Sequence, residues 1–292
     1  MRYRLPTVAT LLSMAALGAI AAVNAQQAAE LTAETVWIPM TEKPGLGPPR
    51  EIRLEGMLYR PSSSGRLPVV VFNHGSTGAG RVAATSTAPY RYPEVARFFV
   101  ERGWAVLIPM RRGRGASGGE YLERYDCDRA SLAAGVDRGL EDIDAALAFV
   151  SSQPWADMDR FLLGGMSRGG LLSVLYPSQR QTKARAVINF AGGWTVERCD
   201  SATRFNVDTF GEAGRAGKLP MLWLYSENDR NYRAGAIQSY HRAFTQAGGA
   251  AELRLFPPIG HDGHILLPGA VTVWQAAVQD FLARIGLDQP RN

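Results

Sequence analysis

Two hydrophobic rhythms alternate along the chain. Continuous apolar runs, LPVVVFN (67–73), WAVLIP (104–109), FLL (161–163), AVINF (186–190), MLWLY (221–225) and LRLF (253–256), predict strands covered on both faces. EIRLEGMLYR (51–60) alternates instead and predicts one more strand. Between the runs, apolar residues recur every three or four positions. Ile143, Ala146, Leu147 and Val150 form one such stripe; Ile237, Tyr240, Phe244 and Ala247 form a second. Trp274, Ala277, Val278, Phe281, Leu282 and Ile285 form the last. Strand followed by helix, repeated, predicts an α/β architecture with a parallel sheet covered by helices. Ligands in such sheets bind beyond the carboxyl ends of the strands, so the loops after each strand are where chemistry is expected.

Composition changes this picture little at the core and more at the start. The 292 residues are 46% hydrophobic and 20% charged, an ordinary globular balance. Arg2 and Arg4 precede an apolar stretch from Val8 to Val23, and Val23-Asn24-Ala25 comes just before Gln26. Small residues three and one before a cut predict a cleavable secretory signal over residues 1–25, with a retained membrane anchor as the alternative. No cysteine follows the apolar run, which argues against lipid attachment there. The mature protein is then expected to be periplasmic or secreted, with no stable membrane span. Losing the two arginines lowers the net charge from +5 to +3, too mild an excess to point to nucleic acid. Only Lys43, Lys183 and Lys218 of the 32 basic residues are lysines, which reads as a genome bias. With no internal repeat and no low-complexity linker, residues 26–292 are expected to form a single domain.

The two cysteines, Cys127 and Cys199, predict a disulfide in an exported chain, two free thiols being the alternative. Cys127 lies downstream of the loop after WAVLIP, and Cys199 lies shortly after AVINF. Such a bond would tie together two segments leaving the carboxyl ends of strands.

Candidate chemistry concentrates in three of those loops. Gly165-Met166-Ser167-Arg168-Gly169 is a G-x-S-x-G motif between a strand and a helix expected from Gly169 to Tyr176, closing at Pro177. A serine hydroxyl becomes a useful nucleophile only when a base takes its proton and an acid orients that base. After MLWLY, Asp229 stands where an orienting carboxylate belongs, with Glu227 as the nearby rival. After LRLF, the segment Ile259-Gly260-His261-Asp262-Gly263-His264 offers two candidate bases, and the distance from the strand end favours His261. His241 falls in a helical stripe and reads as a surface or packing residue. Asn73-His74-Gly75-Ser76-Thr77-Gly78 is a glycine-rich loop after VVVF. It lacks the G-K-[ST] ending of a phosphate cradle.

These segments, from about residue 50 to the end, resemble the α/β-hydrolase superfamily, and within it the bacterial exported dienelactone-hydrolase-like proteins. The matching features are LPVVVFNHGSTG, RRGRGASGG (111–119), GGMSRGG, LWLYSEND and GHDGH. The resemblance implies the α/β-hydrolase fold, a mostly parallel central sheet with helices on both faces. It implies acyl transfer to water through an acyl-enzyme on Ser167, on a small-molecule carboxylic ester, with no metal and no organic cofactor. In this pattern the HGS loop and the residue after the nucleophile supply the oxyanion donors, here the backbone N–H groups of Ser76 and Arg168, with Thr77 as second choice. The G-x-D-G-H ending of the exported relatives aligns with Gly260, Asp262, Gly263 and His264. It therefore favours His264 as the base, so Ser167, Asp229 and His264 form the expected triad with His261 still open. One departure is plain: dienelactone hydrolases proper use a cysteine nucleophile, and this chain carries Ser167. The Arg168 side chain is expected either to steer an anionic acyl group or to point to solvent, and Arg111, Arg112 and Arg114 to be solvated or structural. A serine peptidase and a non-catalytic binding protein on the same fold are the competing readings.

Overall fold

The computed structural model describes residues 31–43, 47–63, 65–76, 88–121, 123, 127–194, 199, 201–215 and 217–288. The expected signal segment and Thr77 lie outside them. Eight strands form one sheet: β1 (Glu34–Glu42), β2 (Arg50–Tyr59), β3 (Leu67–Asn73), β4 (Ala105–Pro109), β5 (Ala156–Met166), β6 (Ala186–Phe190), β7 (Met221–Ser226) and β8 (Ala251–Phe256). Their order across the sheet is β1-β2-β4-β3-β5-β6-β7-β8. β1 with β2 and β2 with β4 are antiparallel, and all other pairs are parallel. Every residue of β3, β4, β6 and β7 is buried, as continuous apolar runs require when both faces are covered.

The described helices are α1 (Pro93–Val100), α2 (Arg129–Ser151), α3 (Arg168–Gln179), α4 (Ala202–Gly214), α5 (Ala234–Gln246), α6 (Leu266–Gly269) and α7 (Val271–Arg284), with a 3₁₀ turn at Gly263–Ile265. The three predicted stripes fall on α2, α5 and α7, and bury Ile143, Ile237, Trp274 and their neighbours. Among the described residues no single helix is long and apolar enough to cross a membrane.

Three expectations are corrected. LRLF was expected to be covered on both faces, but β8 is an edge strand and none of its residues is fully buried. β1 was not expected: its alternating half-buried pattern carries Pro39, whose missing N–H an edge position tolerates, and ends on Glu42, which is buried against Arg50, Arg112 and Arg138. α3 does not close at Pro177 but runs two residues further, to Gln179. A proline in the last turn forfeits a single helical bond, and the Arg180 N–H still reaches the Tyr176 carbonyl at 2.9 Å.

Strand order reverses around β3, with β4 on one side and β5 on the other. The crevice at the carboxyl ends of β3 and β5 is the switch point where open α/β sheets bind ligands. Asn73 and Gly165, the residues in register there, begin the two loops that matter most.

Candidate active site

Ser167 occupies the sharp turn between β5 and α3, with φ 53° and ψ −120°. A non-glycine residue at positive φ is strained, and such strain persists only when the surroundings over-determine it. They do so here by close backbone contact. A Cβ on Gly169 would stand 2.1 Å from the Asn73 carbonyl oxygen, and one on Gly165 would stand 2.4 Å from the Gly169 oxygen. Only glycines allow β5, α3 and the β3 loop to meet this closely. Ser173 fastens the turn from inside the helix: its Oγ lies 2.8 Å from the Gly164 and Gly169 carbonyls and accepts from Asn73 Nδ2 at 2.9 Å.

The β3 loop reaches the serine directly. A Cβ built on Gly75 would lie 3.3 Å from Ser167 Cβ. The Gly75 N–H donates to Tyr92 Oη at 3.1 Å, and the Tyr90 hydroxyl donates to the Ser76 carbonyl at 3.1 Å, so two tyrosines hold this loop. Burial first, and the neighbouring Tyr90 after it, push the Tyr92 phenol far above its usual range, against the Gly75 N–H, and it stays protonated. Arg168 opens α3, where the first N–H groups have no acceptor within the helix.

The loops after β7 and β8 are joined to each other. Asp229 is buried and Glu227 is exposed, which separates the two acid candidates. Oδ1 of Asp229 accepts the backbone N–H groups of Asn231 (2.8 Å) and Tyr232 (2.9 Å), leaving Oδ2 for His264 Nδ1 at 2.9 Å. A carboxylate only accepts, so Nδ1 carries a proton, and in the neutral imidazole the lone pair is then on Nε2. Asp262 caps the 3₁₀ turn, accepting from the backbone N–H groups of His264 (2.9 Å) and Arg230 (3.1 Å). Burial pushes its carboxyl up, but these donors hold it below the usual carboxylate range. Asn228 adds bonds to Ile259 and Gly260, and Tyr232 packs edge-on against the His264 ring at 5.6 Å. His261 is exposed and is not the histidine that Asp229 holds. His241 lies on α5 with Nε2 2.9 Å from the Ala251 carbonyl, a packing position.

Arg168 departs from expectation. Arg168 neither points to solvent nor stands free to meet an anionic acyl group. It is 6% exposed and donates to Tyr121 Oη (3.0 Å) and to the Glu123 carbonyl (3.1 Å) and carboxylate (3.0 Å), with its guanidinium 4.1 Å over the Trp194 ring. Arg111, Arg112 and Arg114 are also buried, so of the two expected states they take the structural one. Arg111 pairs with Glu123, Arg112 with Asp142, Glu141 and Glu42, and the Arg114 guanidinium lies over the Tyr121 ring. A planar guanidinium tolerates burial when its donors find carboxylates and carbonyls, here from β1, α2 and the segment holding Glu123. His74 is buried beside them. Burial and the Arg111 charge push its pKa down to about 3, so it is neutral, with Nδ1 donating to the Gly75 carbonyl and Nε2 accepting the Arg111 N–H.

Glu123, Tyr92 and Tyr232 were not anticipated, because none belongs to a motif and each acts through a chain-distant partner. The cysteines are bonded: Cys127 and Cys199 have Cα atoms 5.4 Å apart across a sequence separation of 72. Cys127 follows Glu123 by four residues and Cys199 follows Trp194 by five, so the bond links two segments that both touch Arg168.

The family model for the dienelactone hydrolase family matches residues 54–263. The quorum-quenching protein AidA of Acinetobacter baumannii (strain MDR-ZJ06) is 29% identical over 139 residues, which is 48% of this chain and 40% of that protein. The chain therefore matches less than half the length of this relative. The esterase Pf2001 of Pyrococcus furiosus superposes with a TM-score of 0.61 at 15% identity, over 96% of this chain and 95% of its own. The acylaminoacyl peptidase of Pyrococcus horikoshii superposes with a TM-score of 0.64 at 16% identity, over 93% of this chain and 44% of its own. Identities this low speak for the fold, which these hydrolases share, and the extended family match goes further: this chain is a member of the dienelactone hydrolase family, on the α/β-hydrolase fold.

Proposed function

We propose that this protein is an exported serine hydrolase that cleaves a small-molecule carboxylic ester. The observation that carries the reading is the Asp229–His264 hydrogen bond, in the loops after β7 and β8, in a sheet whose β5 leads into a strained Ser167. In this reading Ser167 Oγ attacks the ester carbonyl while His264 Nε2 takes its proton. The proton returns to the departing alcohol as the acyl–oxygen bond breaks. Water then attacks the acyl-enzyme with His264 again as base, releasing the acid and restoring Ser167. Asp229 keeps the imidazole in the Nδ1–H tautomer and favours its transient positive charge. The N–H groups of Arg168 and Ser76 serve the oxyanion. The disulfide and the apolar start of the chain support an oxidising, extracytoplasmic location.

Amide cleavage is the second reading, favoured by the fold shared with an acylaminoacyl peptidase. The test is to assay the purified mature protein on short-chain p-nitrophenyl esters beside aminoacyl and peptidyl p-nitroanilides. Ester turnover exceeding anilide turnover by orders of magnitude is expected. Preferential anilide cleavage would replace esterase by peptidase, and turnover of neither class would leave a binding protein.

A further inference from the structure

Glu123 lies in no motif, yet it is the meeting point of the two segments assigned to the oxyanion. Its carboxylate is buried and receives two guanidiniums. Oε1 takes Arg111 Nε, while Oε2 lies 3.2 Å from Arg111 Nη2 and 3.0 Å from Arg168 Nη1. Arg111 passes the connection on to the β3 loop. It donates Nη1 to the His74 carbonyl at 2.8 Å, Nη2 to the Gly75 carbonyl at 3.2 Å and its own N–H to His74 Nε2 at 3.1 Å. These contacts hold the two residues immediately before Ser76. Arg168, on the other side, is the residue that follows Ser167.

We infer that Glu123 is a positioning residue for the oxyanion hole: it grips Arg111 and Arg168 together, and so sets the spacing between the loop carrying Ser76 and the first turn of α3. The inference rests on the acyl-transfer reading above. Preorganised donors stabilise an oxyanion because they need not reorganise as charge develops, and that benefit is lost when their spacing relaxes. Burial pushes the Glu123 carboxyl up, but the two arginines outweigh it and hold its pKa at about 2, so the carboxylate stays ionised. With His74 neutral, two guanidiniums and one carboxylate leave a single net positive charge. Removing the carboxylate charge would raise it to two. Charge alone therefore predicts a faster Glu123→Gln enzyme, whereas a clamp predicts a slower one.

The experiment uses the mature, disulfide-bonded protein with Glu123→Gln and Glu123→Asp. The aspartate keeps the charge, so the folded state survives there even if two unbalanced arginines weaken the glutamine variant, but it is too short to meet both partners. Active Ser167 is titrated with a fluorophosphonate, and kcat per titrated site, KM for a p-nitrophenyl ester and Ki for phenylboronic acid are measured. A clamp predicts that kcat per titrated site falls by about tenfold or more. KM should stay within about twofold, and the boronic acid should weaken in step with kcat, because only tetrahedral species use the donors fully. A merely structural role would lower the titrated fraction and leave the rate per site unchanged. An unchanged or raised rate per site in the folded variants overturns the inference. If the wild-type protein is neither labelled at Ser167 nor active on esters, the acyl-transfer reading itself falls, and the clamp with it.

Discussion

His264 donates from Nδ1 to Oδ2 of Asp229 at 2.9 Å across a sequence separation of 35, onto a carboxylate side chain with no exposed surface. The carboxylate's other oxygen is occupied by two backbone N–H groups of its own turn, so the acid cannot rotate away. The histidine is held in turn by Asp262 at its own N–H. An imidazole fixed in tautomer and orientation by two carboxylates from separate loops is what the proposed serine activation requires of its base.

Ser167→Ala is expected to abolish ester hydrolysis, by about a millionfold, while leaving far-ultraviolet circular dichroism and the melting temperature nearly unchanged. The turn is set by Gly165, Gly169 and Ser173 rather than by the serine hydroxyl. A purified variant retaining a few per cent of wild-type turnover would require another nucleophile.

Of the two neighbouring histidines, His264→Ala should match the serine variant and His261→Ala should keep most of the rate, since His261 is exposed. Asp229→Asn should cost about 10⁴-fold in kcat, because a neutral amide permits the wrong imidazole tautomer. Steady-state kinetics on one chromogenic ester decides the order; a severe loss at His261 with little at His264 would reassign the base.

Removing the Cys127–Cys199 bond by a double serine substitution should lower stability by up to about 4 kcal/mol, the chain-entropy value for a loop of this length. Urea unfolding measures it, and non-reduced peptide mapping should recover the joined pair. Two thiols that alkylate freely in the native, unreduced protein would contradict the bond.

His74 makes the fold sensitive to acid. Its folded pKa of about 3 lies below the unfolded value of 6.5, so between those limits the unfolded chain binds more protons and stability falls as pH falls. Below about pH 3 both states are protonated and the dependence from this group ends. His74→Gln keeps an amide N–H for the Gly75 carbonyl and an oxygen for the Arg111 N–H but does not titrate. The slope of unfolding free energy between pH 6.5 and 3 should become shallower by up to about 1.4 kcal/mol per pH unit. Parallel slopes for the two proteins would show that His74 does not carry this proton.

Local pattern determined a large part of this protein, because strands buried on both faces and one-sided helices write their period into the chain. The runs at 67–73, 186–190 and 221–225 became β3, β6 and nearly all of β7, and the stripes became α2, α5 and α7. The strand–Gly-x-Ser-x-Gly–helix order likewise announced the turn at Ser167, since steric demands on flanking glycines are local. β1 escaped notice because an edge strand with Pro39 and a terminal Glu42 lacks a continuous apolar signature. Which histidine meets Asp229 could not be read from spacing, since His261 and His264 both follow the same strand. That was decided by the bonds of Asn228 and Asp262 between two loops. Whether the arginines lie inside or outside was left open for the same reason: a guanidinium belongs inside or outside according to whether a carboxylate waits for it. Glu123, twelve residues beyond Arg111 and 45 before Arg168, becomes that partner only when the sheet brings β3, β4 and β5 together at one edge.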